Sequence, residues 1–484
     1  MSAISSPSQA ISNGDAQVAA REIDASCRVP VLLLFLCAAI WLLAGSVLGM
    51  VATLKFHMPV FLADCAWFTY GRVHPAHLNA LIYGFAMQAG LGVILWISAH
   101  LGRTRLAFSP AIIAGALLWN LGIAAGVLGI LCGENTGFEW LEMPRYASVT
   151  IFFGYLLIGA GAALTIHQRE ERQLYISQWF VIAALFWFPW IYSTANLLLV
   201  AHPVRGALQA GIDWWYQKNL LTVWFGFTGL AALFYFIPKI TRRPLYSQYN
   251  GIFIFWTLAL FGSCGGIPPA APLPSWMSAL STAAAVLTVV PVIAVGLTIR
   301  GTIAGDWSAM RVNRTFKFFV FGAVAYVAAG FSIAVTSLMR VSVITNFTWY
   351  VPAQTQLMLY GFFAMTIFGA IYYIVPRLLQ AEFPKQNLVC GQFLLAVGGI
   401  LFYAAPLAIG GIMQGLALDD PNQTFTQVMN STLMFLRVSS LGDVLMLLGH
   451  LVLLLNLAAI IASVVRPSAT AVWVEVTKPR EVAS

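Results

Sequence analysis

The sequence predicts an all-α membrane protein, built as a bundle of twelve transmembrane helices. Hydrophobic residues make up 60% of the 484 residues and charged residues only 9%, whereas a soluble domain carries about 25% charged residues. A water-soluble fold could not hide so much apolar surface. A lipid-facing exterior removes that difficulty, and helices satisfy their own backbone hydrogen bonds in lipid.

Twelve apolar runs are long enough to cross a bilayer. We place them at residues 30–54, 75–99, 108–132, 146–167, 177–200, 215–238, 249–267, 276–299, 316–339, 351–376, 389–413 and 438–464. The membrane domain then covers residues 29–465. We expect a disordered cytoplasmic tail at 1–28, which lacks the pattern of a cleaved signal peptide, and a cytoplasmic tail at 466–484.

The basic residues between the apolar runs predict the orientation. With a cytoplasmic N-terminus, seven of the 25 Lys and Arg residues lie on the outer side and the rest on the cytoplasmic side; the seven are Lys55, Arg72, Arg145, Arg205, Lys218, Arg340 and Arg437. Cytoplasmic loops are enriched in Lys and Arg, so both termini are predicted to be cytoplasmic in a bacterial inner membrane. The net charge of +8 thus indicates orientation, and we expect no nucleic-acid partner.

The six cysteines are scattered and form neither a CxxC nor a CxxCH motif. This spacing argues against a disulfide framework, a zinc site and covalently attached haem c. We interpret the cysteines as small apolar residues that fill gaps between helices.

An internal repeat links the second, sixth and tenth spans. Each contains a glycine flanked by aromatic residues, at Gly84, Gly226 and Gly361, with spacings of 142 and 135 residues, and each ends at a basic turn. Repeated units of this kind predict three related groups of four helices in a pseudo-threefold arrangement.

A polar side chain precedes each repeat glycine by seven residues. These side chains belong to His77, Asn219 and Gln354, with Lys218 and Gln356 beside them. Polar residues within a membrane are costly and usually face the interior of a bundle. Imidazoles at this depth would bind haem iron or copper, but the three positions supply only one.

Four stretches resemble a known family: YGRVHPAHLNALIYGF, WWYQKNLLTVWFGFTGLAALFYFIPKITRRPLYS, LPSW and NFTWYVPAQTQ. The chain resembles subunit I of the haem–copper oxidase superfamily over about residues 60–390. The cbb3-type cytochrome c oxidases are the most similar, and the nitric oxide reductases are more distant. The resemblance implies the subunit I fold, haem and copper cofactors, and electron transport in a respiratory chain.

The ligands that this resemblance implies are mostly absent. His77 matches a histidine that ligates the low-spin haem b. Three further histidine positions of the family, at the copper site, hold Lys218, Gly266 and Ile267. The remaining two, the His-x-His pair that ligates the two haems, hold Gln354 and Gln356. The tyrosine that supports oxygen chemistry in the family corresponds to Leu260. A lysine cation repels copper, and glutamine replaces imidazole poorly on haem iron.

We therefore predict no catalytic residue, no copper, and either no haem or a single haem b. His77 is the candidate haem ligand, with His74 or Gln356 opposite it; alternatively, His77 is an inherited residue hydrogen-bonded within the bundle. Lys218 could pair with Asp213, or fill the vacated copper position together with Gln354.

Three functions remain open. The missing ligands favour a non-catalytic paralogue that acts as a structural or assembly subunit. The overall resemblance favours an active terminal oxidase or nitric oxide reductase, and the helix count loosely fits a transporter. The outer loops are rich in aromatic residues and proline, and in the resembled family that face receives cytochrome subunits. We therefore expect other membrane subunits as partners, c-type cytochrome subunits among them, with anchors at Trp214, Trp215 and Trp349.

Overall fold

The computed structural model describes residues 13–305 and 313–477, and twelve long helices account for most of them. They are α1 (Asn13–Leu54), α2 (Tyr70–Gly102), α3 (Ser109–Cys132), α4 (Arg145–His167), α5 (Ile176–Ala201), α6 (Leu208–Thr241), α7 (Gln248–Cys264), α8 (Ser275–Ile303), α9 (Phe316–Thr336), α10 (Tyr350–Leu379), α11 (Gln386–Leu418) and α12 (Phe425–Thr477). A short helix, Met339–Thr345, precedes α10. We name the side with the α1–α2 and α3–α4 connections the outer side, after the predicted orientation.

The all-helical membrane bundle predicted from the sequence is confirmed. Among the described residues, eleven helices are long and apolar enough to cross a membrane. The twelfth, α7, has 17 residues, at the lower end of the roughly 17–25 residues that span a bilayer.

Helices α2, α6 and α10 form the inner ring of the bundle. Every residue in the most apolar stretch of α2 is buried, as are 94% of those in α6 and α10, whereas the other membrane helices bury between 28% and 56%. These three helices carry the repeat glycines, so the sequence repeat coincides with the centre of the fold.

Each inner helix also widens into a π-helical segment at a similar depth. The segments are Ala80–Met87 in α2, Leu220–Trp224 in α6 and Leu357–Ala364 in α10. Such segments interrupt α-helices mainly at functional sites. All three begin just after the polar residues singled out above, which supports the predicted pseudo-threefold repeat.

The prediction of a disordered N-terminal tail is wrong for residues 13–28, because α1 already begins at Asn13. Tertiary contacts hold this extension: Ile23 and Cys27 are buried. Asp24 accepts a hydrogen bond from Trp96 Nε1 at 2.9 Å and pairs with His100 Nε2 at 2.8 Å. The rest of that predicted tail, residues 1–12, lies outside the described residues.

The first part of the predicted C-terminal tail, at 466–477, is helical. The backbone of α12 stays helical to Thr477, beyond the predicted end of the membrane domain at 465. Residues 478–484 of the predicted tail lie outside the described part of the chain.

Candidate functional site

A cavity of about 390 Å³ lies at the outer end of the inner ring, between α6, α8, α9 and α10. Four of the predicted site residues line it: Lys218, Gly266, Ile267 and Gln354. These residues come from three separate segments of the chain. The fold therefore brings together four of the five positions at which the family resemblance implies missing histidines.

Lys218 enters this cavity without a partner. Its ammonium group forms no hydrogen bond or ion pair with any residue that the structure describes. The suggested pairing with Asp213 does not form, since Asp213 Oδ2 instead accepts a hydrogen bond from Gln217 Nε2 at 3.1 Å. Lys218 is half-buried.

Gly266 packs closely against α6 at the β-carbon of Lys218. A β-carbon added at Gly266 would lie 2.8 Å from Lys218 Cβ and 2.8 Å from the carbonyl oxygen of Trp214. The backbone φ of +118° also suits only glycine. The next amide, of Ile267, donates to Ser281 Oγ at 2.9 Å and ties this loop to α8. The lysine stem thus occupies space that a side chain at position 266 would need.

The two glutamines of α10 face different neighbours. Gln354 Nε2 donates to Ser332 Oγ at 2.8 Å and to Thr336 Oγ1 at 3.0 Å, both on α9. Gln356 Nε2 instead approaches Met446 Sδ on α12, at 3.5 Å. Gln354 belongs to the cavity, whereas Gln356 belongs to the interface between α10 and α12.

His77 is oriented by α1. Its Nδ1 donates to the carbonyl oxygen of Gly45 at 2.7 Å, and its ring lies so close to Gly49 that a β-carbon there would be 2.6 Å from His77 Cε1. Its Nε2 has no hydrogen-bond partner among the described residues. A backbone hydrogen bond to one ring nitrogen, with the other left free, is typical of a metal-ligating histidine.

His74 does not lie opposite His77. It precedes His77 by one turn of α2, with the ring centroids 6.5 Å apart, and stacks on Tyr70 at 5.1 Å. Two side chains one turn apart on the same helix approach a ligand from the same side. The alternative that pairs His74 with His77 across a haem therefore does not fit.

Leu260 does not reach the cavity. It is 61% exposed on the surface of α7 and does not belong to the cavity lining. The position that the resemblance assigned to an oxygen-chemistry tyrosine thus faces away from the site.

The sequence analysis missed a polar contact between α12 and its neighbours. His450 Nδ1 is hydrogen-bonded to Ser46 Oγ at 2.6 Å, and its Nε2 contacts the hydroxyl of Tyr360 on α10. Seven residues earlier, Asp443 Oδ2 accepts a hydrogen bond from Thr53 Oγ1 at 2.8 Å. A seven-residue spacing places Asp443 and His450 on one face of the helix, and this signal could have predicted that α12 turns that face inward.

A second missed feature is the connection between α3 and α4, which folds against the inner ring. Asn79 Nδ2 donates to Glu142 Oε2 at 2.7 Å. The Tyr83 hydroxyl donates to the carbonyl of Trp140 at 2.5 Å and is 2.6 Å from the hydroxyl of Tyr216. Burial raises the pKa of Glu142 to about 8. The signal for this contact is Glu142, an acidic residue between the apolar residues Leu141 and Met143.

Comparison with known proteins identifies the family. The family model for cytochrome c and quinol oxidase polypeptide I matches residues 29–445. The chain belongs to this family. A cytochrome c oxidase subunit 1 homolog from Azorhizobium caulinodans is 26% identical over 443 residues, which are 87% of this chain and 80% of that protein. The cbb3-type cytochrome c oxidase subunit CcoN1 of Stutzerimonas stutzeri is 25% identical over 438 residues, 86% of this chain and 91% of that protein.

The fold comparison agrees with this assignment. A haem–copper terminal oxidase dimer solved by cryo-electron microscopy aligns with a TM-score of 0.70 and 14% sequence identity, covering 90% of this chain and 84% of that one. The architecture of an oxidase subunit I is therefore present. The chain is an integral membrane protein of the haem–copper oxidase superfamily, similar to the cbb3-type subunits.

Proposed function

We propose that this oxidase subunit I relative is a non-catalytic paralogue that serves as a structural or assembly subunit of a membrane complex. One observation carries the proposal. The positions that correspond to the copper ligands and to the high-spin haem ligand converge on one cavity, and they hold Lys218, Gly266, Ile267 and Gln354.

The residues around this cavity do not fit a copper ion. Copper in proteins prefers imidazole or thiolate ligands, and the cavity lining contains neither histidine nor cysteine. Lys218 adds a positive charge, which repels a metal cation. Across the described residues, no group of three or more His, Cys, Asp or Glu side chains is placed to hold a metal ion.

A single haem b remains compatible with His77. The hydrogen bond to Gly45 fixes the imidazole and leaves Nε2 free, so His77 would be the residue that holds the haem iron. Gln356 is a weak candidate for the other side, since its amide already approaches Met446. A haem bound there would supply one-electron transfer. The proposal therefore allows no haem or one haem b, and no copper.

The proposed setting is a bacterial inner membrane, with both termini in the cytoplasm, in a complex with other membrane subunits. The support is the distribution of Lys and Arg and the oxidase-subunit names of the relatives. A c-type cytochrome subunit at the outer face is the proposed partner, because exposed aromatic side chains remain there, among them Trp67 and Trp276.

The alternative function is an active haem-dependent terminal oxidase or nitric oxide reductase. Oxygen and nitric oxide consumption by the purified protein, with a reduced electron donor, distinguishes the two. We expect oxygen and nitric oxide to be consumed no faster with the protein than in a control that contains only the electron donor and detergent. The alternative would be established if the wild type turns over, Lys218→Ala abolishes this turnover and Lys239→Ala preserves it. Lys239 serves as the control because it is an exposed lysine at the other end of the same helix.

A further inference from the structure

The cavity at the outer end of the inner ring holds an uncompensated positive charge. Lys218 lines it, and its ammonium group has no partner among the described residues. A cation inside a membrane bundle is costly and normally pairs with another group or serves a function. A buried charge without a partner typically destabilises a folded protein. The lysine therefore calls for an anion from outside the chain.

The nearby carboxylates do not supply that anion. Asp213 lies on the same helix, but it is bonded to Gln217 and does not belong to the cavity lining. Among the described residues of the lining, Glu139 is the one acidic residue, and it is exposed. Water screens an exposed carboxylate strongly, so the interior of the cavity around Lys218 stays positive.

The remaining lining is amphipathic. Hydroxyl groups come from Ser281, Thr282 and Thr355, and apolar surface from Ala285, Ile333 and Val351. The volume of about 390 Å³ falls within the range of about 300–1,000 Å³ typical of small-molecule sites. The mixture of hydroxyl groups and apolar surface in the lining offers contacts to both a polar and an apolar part of a ligand. The occupant that fits has an anionic head and an apolar body.

We propose that this cavity is a binding site for a small organic carboxylate, whose carboxylate group meets the Lys218 ammonium and whose apolar body packs on α8 and α9. The lysine stands at a position that the resemblance assigns to a copper ligand, and Gly266 packs against its β-carbon. A position that ligates a metal cation in the resembled family thus carries a positive charge here, which favours an anion. This proposal concerns the cavity alone and stands whether or not His77 holds a haem.

The test uses the purified full-length protein in detergent. The midpoint of thermal unfolding is followed by tryptophan fluorescence while sodium butyrate is added, against sodium chloride and sodium sulfate at equal ionic strength. A ligand that binds the folded state raises the midpoint in a saturable manner. We expect saturable stabilisation by butyrate alone. Lys218→Met should weaken butyrate binding about tenfold or more, and the control Lys239→Met should leave it unchanged.

Two results would overturn the proposal: equal butyrate affinity in the wild type and in Lys218→Met, or equal stabilisation by sulfate and butyrate. If Lys218→Met does not fold, Val351→Trp provides a second test, because it keeps the charge and fills part of the cavity. Butyrate affinity should then fall, and an unchanged affinity in this variant would contradict the site. Oxygen turnover and metal content are separate measurements, so failure of this test leaves the proposed non-catalytic role standing.

Discussion

Lys218 and Gly266 fit each other closely: a β-carbon at position 266 would lie 2.8 Å from the β-carbon of the lysine. At 2.8 Å, carbon atoms overlap well inside their optimal separation of about 3.5–4.0 Å. Every residue other than glycine carries this β-carbon at position 218, so the backbone packing here requires a residue without a side chain at 266. The steric fit therefore explains why glycine occupies position 266.

The first prediction concerns this fit. Gly266→Ala should lower the stability of the protein, because alanine adds steric overlap with Lys218 and Trp214 to the strain of a positive φ. The matched control is Gly137→Ala, where φ is +83° and nothing lies within 4 Å of the added carbon. We expect Gly266→Ala to cost about 1–3 kcal/mol more than the control, measured as a lower midpoint of thermal unfolding. Equal midpoints would mean that the loop relaxes freely.

The second prediction concerns pH. Burial raises the pKa of Glu142 from 4.5 to about 8. Between these values the folded state keeps a proton that the unfolded state has lost, so the stability falls as the pH rises through this window. Glu142→Gln removes that dependence. The variant should therefore gain stability relative to the wild type between pH 5 and pH 8.5.

Unfolding midpoints at a series of pH values test this prediction. The same substitution at Glu134, an exposed residue of the same loop, controls for the loss of a surface charge. Parallel pH profiles for Glu142→Gln and the wild type would show that Glu142 is not protonated in the folded protein.

The third prediction concerns haem. If the purified protein carries haem b, His77→Ala should remove its absorption bands, since His77 provides the free Nε2. Gly49→Ala should weaken the bands as well, because the added carbon would lie 2.6 Å from the ring. Gly71→Ala, with nothing within 4 Å of the added carbon, should leave them intact. Bands that persist in His77→Ala would place the iron elsewhere.

The sequence predicted the membrane helices well, because an apolar run long enough to span lipid is a local signal. The regular spacing of Gly84, Gly226 and Gly361 likewise pointed to the inner helices. The start of α1 was missed, since its polar sequence is ordered by Trp96 and His100, which lie more than 70 residues away.

The polar contacts of α12 escaped the sequence analysis for the same reason. The link between His450 and Tyr360 joins residues 90 positions apart. The resemblance singled out Lys218, Gly266, Ile267 and Gln354, and the structure places these four residues around one cavity. It failed at Leu260, where α7 turns the side chain outward.

The fourth prediction concerns the partner surface. The three predicted anchors are half-buried, because they pack against other parts of the chain: Trp214, Trp215 and Trp349. The ring centroid of Trp215 lies 5.8 Å from that of Trp190. The ring centroid of Trp349 lies 4.8 Å from that of Phe56. Trp67 and Trp276 are 49% and 65% exposed on the outer side. If the outer face docks a cytochrome subunit, Trp67→Ala and Trp276→Ala should release it.

Mass spectrometry of the complex extracted in mild detergent measures this release. Trp256→Ala serves as the control, since Trp256 is 58% exposed within α7, away from the outer loops. A chain that is monomeric in several mild detergents, or a partner retained by both outer variants, would count against docking at this face.

The copper and iron content of the purified full-length protein tests the central claim most directly. Elemental analysis by mass spectrometry, with the protein concentration from amino-acid analysis, gives both metals per chain. The non-catalytic account predicts copper far below one atom per chain and at most one iron. One copper atom per chain, lost in Lys218→Ala or Gln354→Ala and retained in Lys239→Ala, would contradict it.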